Sequence, residues 1–129
     1  MKRAALNLTD GSFARSGGGL VYAELALHVD ELRFPDSRWT DFVVVILTWW
    51  CSGLSRLLAG ERDPIDVRFM EGPYLVVLGP ISQELIHMVL VEAGSKRRIC
   101  GETDADARTL IRSVLSASDR TPTECRHES

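Results

Sequence analysis

The chain has 129 residues, of which 45% are hydrophobic and 26% are charged, and its net charge is −3. This length favours one domain over residues 1–129, with a core that needs no disulfide or metal, and the composition excludes a disordered chain. A charge so near zero argues against a nucleic-acid partner, because phosphate binding needs a concentrated basic surface. The short basic run at 96–98 is typical of a solvated loop.

Cysteine usage and the first residues indicate a cytoplasmic protein. Cys51, Cys100 and Cys125 are far apart and lack metal-ligand spacing, which predicts reduced thiols and neither a metal nor another cofactor. Asn7 and Thr9 interrupt the apolar run that a secretory signal peptide would need. We therefore expect a cytoplasmic location.

The first part of the chain predicts a loop and then a strand. Thr9–Gly19 is rich in glycine and serine, as flexible loops are, and no Gly-Lys-Ser/Thr follows to make a phosphate-binding loop. Leu20–Val29 alternates in polarity and predicts a half-buried strand, with Glu31–Phe34 as a short partner before Pro35. The predicted buried face is Val21, Ala23, Leu25, Leu27 and Val29, and the other face is Tyr22, Glu24, Ala26, His28 and Asp30.

The segment Trp39–Gly60 decides the predicted architecture. Its uncharged run is about 14 residues long, whereas a membrane-spanning helix needs roughly 20, so a membrane span is excluded. Phe42–Leu47 would suit a buried strand, but Thr40 offers a helix cap and Gly60 stands where helices end. We predict a helix from about Thr40 to Ala59. Its apolar stripe is Val43, Ile46, Leu47, Trp50, Leu54, Leu57 and Leu58.

Two further features of this helix follow from its polarity. Asp41 places a negative charge in the first turn, where the helix dipole favours one. Val44, Val45 and Trp49 are apolar but lie off the stripe. They predict either a second packing layer or a seam between two copies of the chain.

After the helix, the pattern predicts three or four antiparallel strands. Ile65–Met70 and Tyr74–Leu78 flank the turn residues Glu71–Pro73 and predict a hairpin. Leu85–Val91 is an apolar third strand. Arg97–Cys100 predicts a short, basic fourth strand. Charged residues are common on edge strands, where they guard a sheet against aggregation.

The C-terminal part predicts a second helix and a polar tail at 119–129 that frays. Thr103–Asp106 is typical of a capped helix start, and one apolar face follows: Ala107, Leu110, Ile111, Val114 and Leu115. The fold class is α+β. An antiparallel sheet of about five to six strands is expected to be packed on one face by a long central helix and a C-terminal helix, with its other face open.

Catalysis needs groups that converge, and the sequence predicts none, so we expect no enzyme. His127 lies in the tail, His28 on the polar side of the first strand, and His87 inside an apolar strand as a satisfied, half-buried side chain. Cys51 has no identifiable base. A metal site at His87 would need a neighbouring carboxylate such as Glu24, Asp66 or Glu84.

The remaining feature is an outward set of aromatic and charged residues on rigid strands, which is typical of protein recognition. Taken one at a time, these residues also fit an ordinary solvated face. The predicted partner-binding residues are Tyr22, Glu24, His28, Asp66, Arg68 and His87.

Two segments, WTDFVVVILTWW and VRFMEGPYLVVL, make residues 25–91 resemble small bacterial proteins, many of which are immunity proteins of polymorphic toxin systems. In this resemblance Trp39 and Asp41 set a helix start, and Gly72 and Pro73 set a turn. It implies a protein that neutralises a cognate toxin by direct binding, and a mildly acidic inhibitor suits a basic nuclease toxin. The alternatives are a homo-oligomeric adaptor and a small ligand-binding protein or enzyme that uses His28 or His87.

Overall fold

The structure, a computed structural model, describes residues 2–15 and 17–121, which form nine strands and two helices. The elements before the midpoint are β1 (Ala4–Leu8), β2 (Ala14–Arg15), β3 (Val21–Val29), β4 (Leu32–Phe34), β5 (Thr40–Phe42) and α1 (Val43–Leu58). The elements after it are β6 (Ile65–Arg68), β7 (Tyr74–Pro80), β8 (Leu85–Ala93), β9 (Arg97–Asp106) and α2 (Ala107–Arg120). The predictions for His127 and for the tail beyond residue 121 lie outside the described residues.

The first sheet is built around the long strand β3. Strands β1 and β4 pair antiparallel with its C-terminal half, and β2 and β5 pair with its N-terminal half. The predicted alternation in β3 is confirmed, because its odd-numbered side chains are buried while Tyr22, Glu24 and His28 are half-buried on the other side. Ala26 shares that second side and is nevertheless buried. Strand β2 lies inside the predicted loop Thr9–Gly19.

The second sheet is an antiparallel meander of β6, β7, β8 and β9 in chain order. The predicted hairpin is confirmed, with Val67 opposite Val76 across β6 and β7. Gly72 in its turn has a φ of +74°, which glycine adopts without strain. The predicted fourth strand is longer than expected, since β9 runs on to Asp106.

The prediction of a single sheet is wrong. The strands form a five-stranded and a four-stranded sheet, which meet at one parallel bridge between Lys2 and Ala105. Alternating polarity identifies a strand and its buried side, but it carries no information about which strand will be its neighbour. Helix α1 separates the two groups of strands in the chain and packs against β3 of the first sheet and β6 of the second.

Helix α1 begins three residues later than predicted, at Val43 rather than Thr40, because Thr40–Phe42 pairs with β3 as strand β5. Phe42 occupies the N-cap position and makes no side-chain capping bond. Asp41 therefore does not serve the helix dipole. Its carboxylate is buried beside the Trp39 indole instead.

The predicted apolar stripe of α1 is confirmed up to Leu54, and Leu57 packs at the margin of the core. Leu58 is an exception, since it is exposed. Gly53 lies so close to β6 that an added Cβ atom would come within 2.8 Å of Val67 Cγ1. Gly60 has a φ of +99°, as expected for a glycine after a helix end.

Helix α2 also starts later than predicted. Thr103–Asp106 is the end of β9, and the helix begins at Ala107, where the Asp106 side chain accepts a hydrogen bond from the Thr109 backbone N–H. Its buried face includes Ala117, whereas Leu115, predicted to be in the core, is exposed. The helix packs mainly on β1 and on α1.

The core lies where the inner faces of both sheets meet the helices. Trp50 is fully buried, and its ring packs edge-on against Phe69 with 6.3 Å between centroids. Phe34 of β4 contacts Phe69 and Tyr74 in the same manner and so links the two sheets. Across residues 2–15 and 17–121, neither helix combines the length and apolar character that a bilayer span requires.

Candidate functional site

A cleft of about 940 Å³ opens between the C-terminal end of α1, the first half of α2 and the β7–β8 loop, and we call it the helical cleft. Its floor is apolar and includes buried Leu54 and Ile86 and half-buried Ile111. Two large apolar side chains on its lining face water, since Leu58 is 66% exposed and Ile81 is 50% exposed. Exposed apolar groups gathered around a concave surface are typical of a binding site.

The walls of the helical cleft are held by hydrogen bonds of the main chain. In the β7–β8 loop, the backbone N–H groups of Ile81 and Ser82 both donate to the Leu85 carbonyl at 3.2 Å. The Ala107 N–H donates to the Glu84 carbonyl at 2.9 Å, which ties the start of α2 to the same loop. The cleft is therefore formed by ordered backbone.

The charged groups of the helical cleft are mainly cationic. Arg62, Arg108 and Arg112 line it, and Arg108 and Arg112 are one helical turn apart on α2. The cleft is also lined by two carboxylates, Glu61 and Glu84. Glu61 forms an ion pair with Arg56 at 3.2 Å. Within the described part of the chain, Arg62 and Arg112 form no ion pair or hydrogen bond. Their guanidinium groups are available to a carboxylate ligand.

The six residues predicted to bind a partner do not form one surface. Tyr22, Glu24 and His28 lie on β3 of the first sheet, whereas the other three lie on the second sheet. Tyr22 packs edge-on against Phe42 at 6.3 Å, and Glu24 pairs with Arg38 at 3.5 Å. None of the six lines the helical cleft.

Asp66, Arg68 and His87 do share one face of the second sheet, because residues directly opposite each other across a ladder point to the same side. One row across the four strands runs from Asp66 through Val77 and Val89 to Glu102. His87 lies opposite Asp104 in the neighbouring row on the same side. We call this the outer face, because the opposite face of the sheet carries Val67, which packs against Gly53 of α1. On this face Leu75 and Val91 are buried and Val77 and Val89 are half-buried. Ile99, which is 60% exposed, lies opposite Val91 on the β9 side.

His87 lies between two carboxylates of β9. Its Nδ1 is 2.7 Å from Asp104 Oδ1 and its Nε2 is 2.7 Å from Glu102 Oε1. These hydrogen bonds, first to Asp104 and then to Glu102, raise the pKa of His87 above 6.5. The sequence prediction of a satisfied histidine is confirmed, although its partners are not the carboxylates considered for a metal site.

The His87 cluster does not have the geometry of a metal site. The two carboxylates face opposite nitrogens of the ring, so the three groups do not point at a common centre. Among the described residues, no set of three or more His, Cys, Asp or Glu side chains is placed to hold a metal ion. Cys51 contacts helix α2 instead, with its Sγ 3.7 Å from Ser118 Oγ.

The raised pKa of His87 predicts a pH dependence of stability. A group with a raised folded pKa stabilises the fold most below its usual value of 6.5, and that contribution is lost as the pH rises through the folded pKa. We expect the difference in free energy of unfolding between wild type and His87→Gln to be larger at about pH 5.5 than at about pH 8.5. Urea unfolding followed by circular dichroism measures it.

His28 provides the matched control for this experiment. Burial, and then the nearby Arg33 charge, lower the pKa of His28, so protonation disfavours the folded state. Relative to His28→Gln, the wild type should therefore lose stability as the pH falls. If the difference in free energy of unfolding between wild type and His87→Gln is the same at both pH values, the raised pKa of His87 is contradicted.

Sequence reasoning missed the helical cleft because its lining comes from three segments far apart in the chain. One local signal did exist: Arg108, Ile111, Arg112 and Leu115 share one helical face with mixed charge and apolar character. The expected stripe placed Ile111 and Leu115 in the core. Comparison of the chain with protein-family models, with curated proteins and with solved structures finds no match.

Proposed function

We propose that this chain is a protein-binding domain of the immunity type, which neutralises a toxin by occupying its surface. The observation that carries the proposal is the helical cleft, where exposed Leu58 and Ile81 stand beside three arginines over an apolar floor. Arginine is enriched among the residues that contribute most of the binding energy at protein interfaces. Exposed apolar side chains such as Leu58 and Ile81 gain free energy when a partner removes them from water. The toxin-inhibitor form of the proposal rests on the resemblance of the segments at 39–50 and 67–78.

The charge of the cleft indicates what its occupant carries. Arg62 and Arg112 have no carboxylate partner among the described residues, and a protein partner would supply one from an acidic segment. An apolar side chain of the same segment would cover Leu58 and Ile81, because removing their exposed surface from water is favourable. The occupant we propose is an apolar and acidic segment of the partner.

Co-expression with the product of the adjacent gene tests this function. We expect that product to be toxic alone, to be tolerated with the wild-type chain, and to co-purify with it. Leu58→Asp places a carboxylate on the lining of the cleft, and it should weaken the complex by about tenfold or more, as measured by calorimetry.

Ile99→Asp is the matched control, because it makes the same kind of change at a similarly exposed residue on the outer face. It should change the affinity by no more than about twofold. An adjacent product that is neither toxic nor bound contradicts the proposal. Loss of binding in Ile99→Asp but not in Leu58→Asp would assign the interface to the outer face and refute the role of the cleft.

A further inference from the structure

We propose that two copies of this chain pair along the free edge of β6, in a single register, to form a two-fold symmetric dimer. The occupant of the edge is therefore a second copy of the chain. This proposal uses a different surface from the helical cleft, and it does not depend on the proposed function.

The edge of β6 offers backbone groups to a further strand. Phe69 N donates to Tyr74 O at 3.1 Å, so this pair is hydrogen-bonded, and in an antiparallel ladder every second pair is of this kind. Val67 and Ile65 accordingly direct their backbone groups towards β7. Asp66 and Arg68 direct theirs away from β7, and within the described residues these groups meet no other strand.

The charges at this edge select one register for self-pairing. If Val67 lies on a two-fold axis, Asp66 of each copy stands opposite Arg68 of the other, and all four outward backbone groups on each strand are used. A shift in either direction places Asp66 opposite Asp66, or Arg68 opposite Arg68. Opposite charges across a ladder stabilise it and like charges destabilise it. Asp66 and Arg68 are exposed, and neither forms an ion pair within the described part of the chain.

The surroundings of the edge favour the same partner. A groove of about 260 Å³ lies between α1 and β6 and includes Trp49, which is 40% exposed. In a two-fold dimer the groove of one copy lies against the groove of the other, so Trp49 is covered in both copies. The other edge of this sheet is different, because β9 has a bulge and is partly covered by the bridge to Lys2.

Charged residues on an edge strand also serve to prevent pairing, and this reading predicts a monomer. Sedimentation velocity distinguishes the two readings. We expect wild type to dimerise reversibly, and Asp66→Arg and Arg68→Asp each to weaken dimerisation by about tenfold or more, because each puts like charges in both cross-strand pairs. An equimolar mixture of the two variants should form a heterodimer, since the new charges are then complementary in both pairs.

Glu31→Arg is the control, because it makes the same change of charge at an exposed turn residue away from β6. It should leave dimerisation unchanged, and circular dichroism should show all variants folded. A wild type that stays monomeric up to roughly millimolar concentration overturns the proposal. So does a dimer that survives either single variant, or a mixture of the two variants that fails to associate.

Discussion

Replacing Asp41 with alanine should lower the free energy of unfolding by roughly 3–4 kcal/mol. Asp41 is 1% exposed, and its carboxylate accepts hydrogen bonds from three N–H donors. Trp39 Nε1 donates to Oδ2 at 2.9 Å, Phe42 N donates to Oδ1 at 2.7 Å, and Glu71 N is 3.2 Å from both oxygens. Alanine leaves these donors unsatisfied in a part-buried site, and the cost of such a group exceeds the net value of the bond it lost.

Asp36→Ala is the matched control for this prediction. Asp36 also accepts a backbone hydrogen bond, from Arg38 N at 2.8 Å, but it is exposed, so water replaces the lost acceptor. Asp36→Ala should lower the free energy of unfolding, measured by urea unfolding, by less than about 1 kcal/mol. A double-mutant cycle with Trp39→Phe should show coupling between Trp39 and Asp41. If Asp41→Ala costs no more than Asp36→Ala, the carboxylate does not hold these segments together.

Replacing Trp50 with alanine should cost roughly 3–5 kcal/mol, because it leaves a cavity at the centre of the core. Trp50 is 0% exposed and packs against Phe69, between the two sheets. Its Nε1 is buried and has no hydrogen-bond partner among the described residues. Trp50→Phe removes that unsatisfied donor along with some volume, so we expect it to cost less than half as much as alanine.

The adjacent Trp49 is the control, because it is the same residue type on the same helix and is 40% exposed. Trp49→Ala should cost about 1 kcal/mol when measured by circular dichroism in urea. Fluorescence is less suitable, since both changes remove a fluorophore. Equal losses at the two positions would contradict the assignment of Trp50 to the core.

Local patterns predicted most elements of the fold correctly. The alternation in Val21–Val29 and the hairpin around Gly72 both appear in the structure, because side-chain period and turn conformation are properties of neighbouring residues. The ends of the helices were predicted less well. Thr40 has a good capping side chain, but pairing of Thr40–Phe42 with β3 satisfies more backbone groups than a cap does.

The candidate site depended far more on distant contacts. Leu58 belongs to the predicted stripe of α1, yet no element among residues 2–15 and 17–121 covers it, and it lines the helical cleft. Arg62 and Arg112 are ordinary surface arginines in the sequence. They line the same cleft only because the residues after α1, the first half of α2 and the β7–β8 loop lie next to one another in the tertiary structure.

By itself, the sequence determined the α+β class, the strand alternation and the apolar side of α1, since these depend on the order of polar and apolar residues along a short stretch. Only the tertiary structure decided the division into two sheets, the buried role of Asp41 and the position of the cleft. These features require segments far apart in the chain to meet, and the free energy that selects one arrangement comes from packing and hydrogen bonds between them. Local periodicity contains no record of those partners.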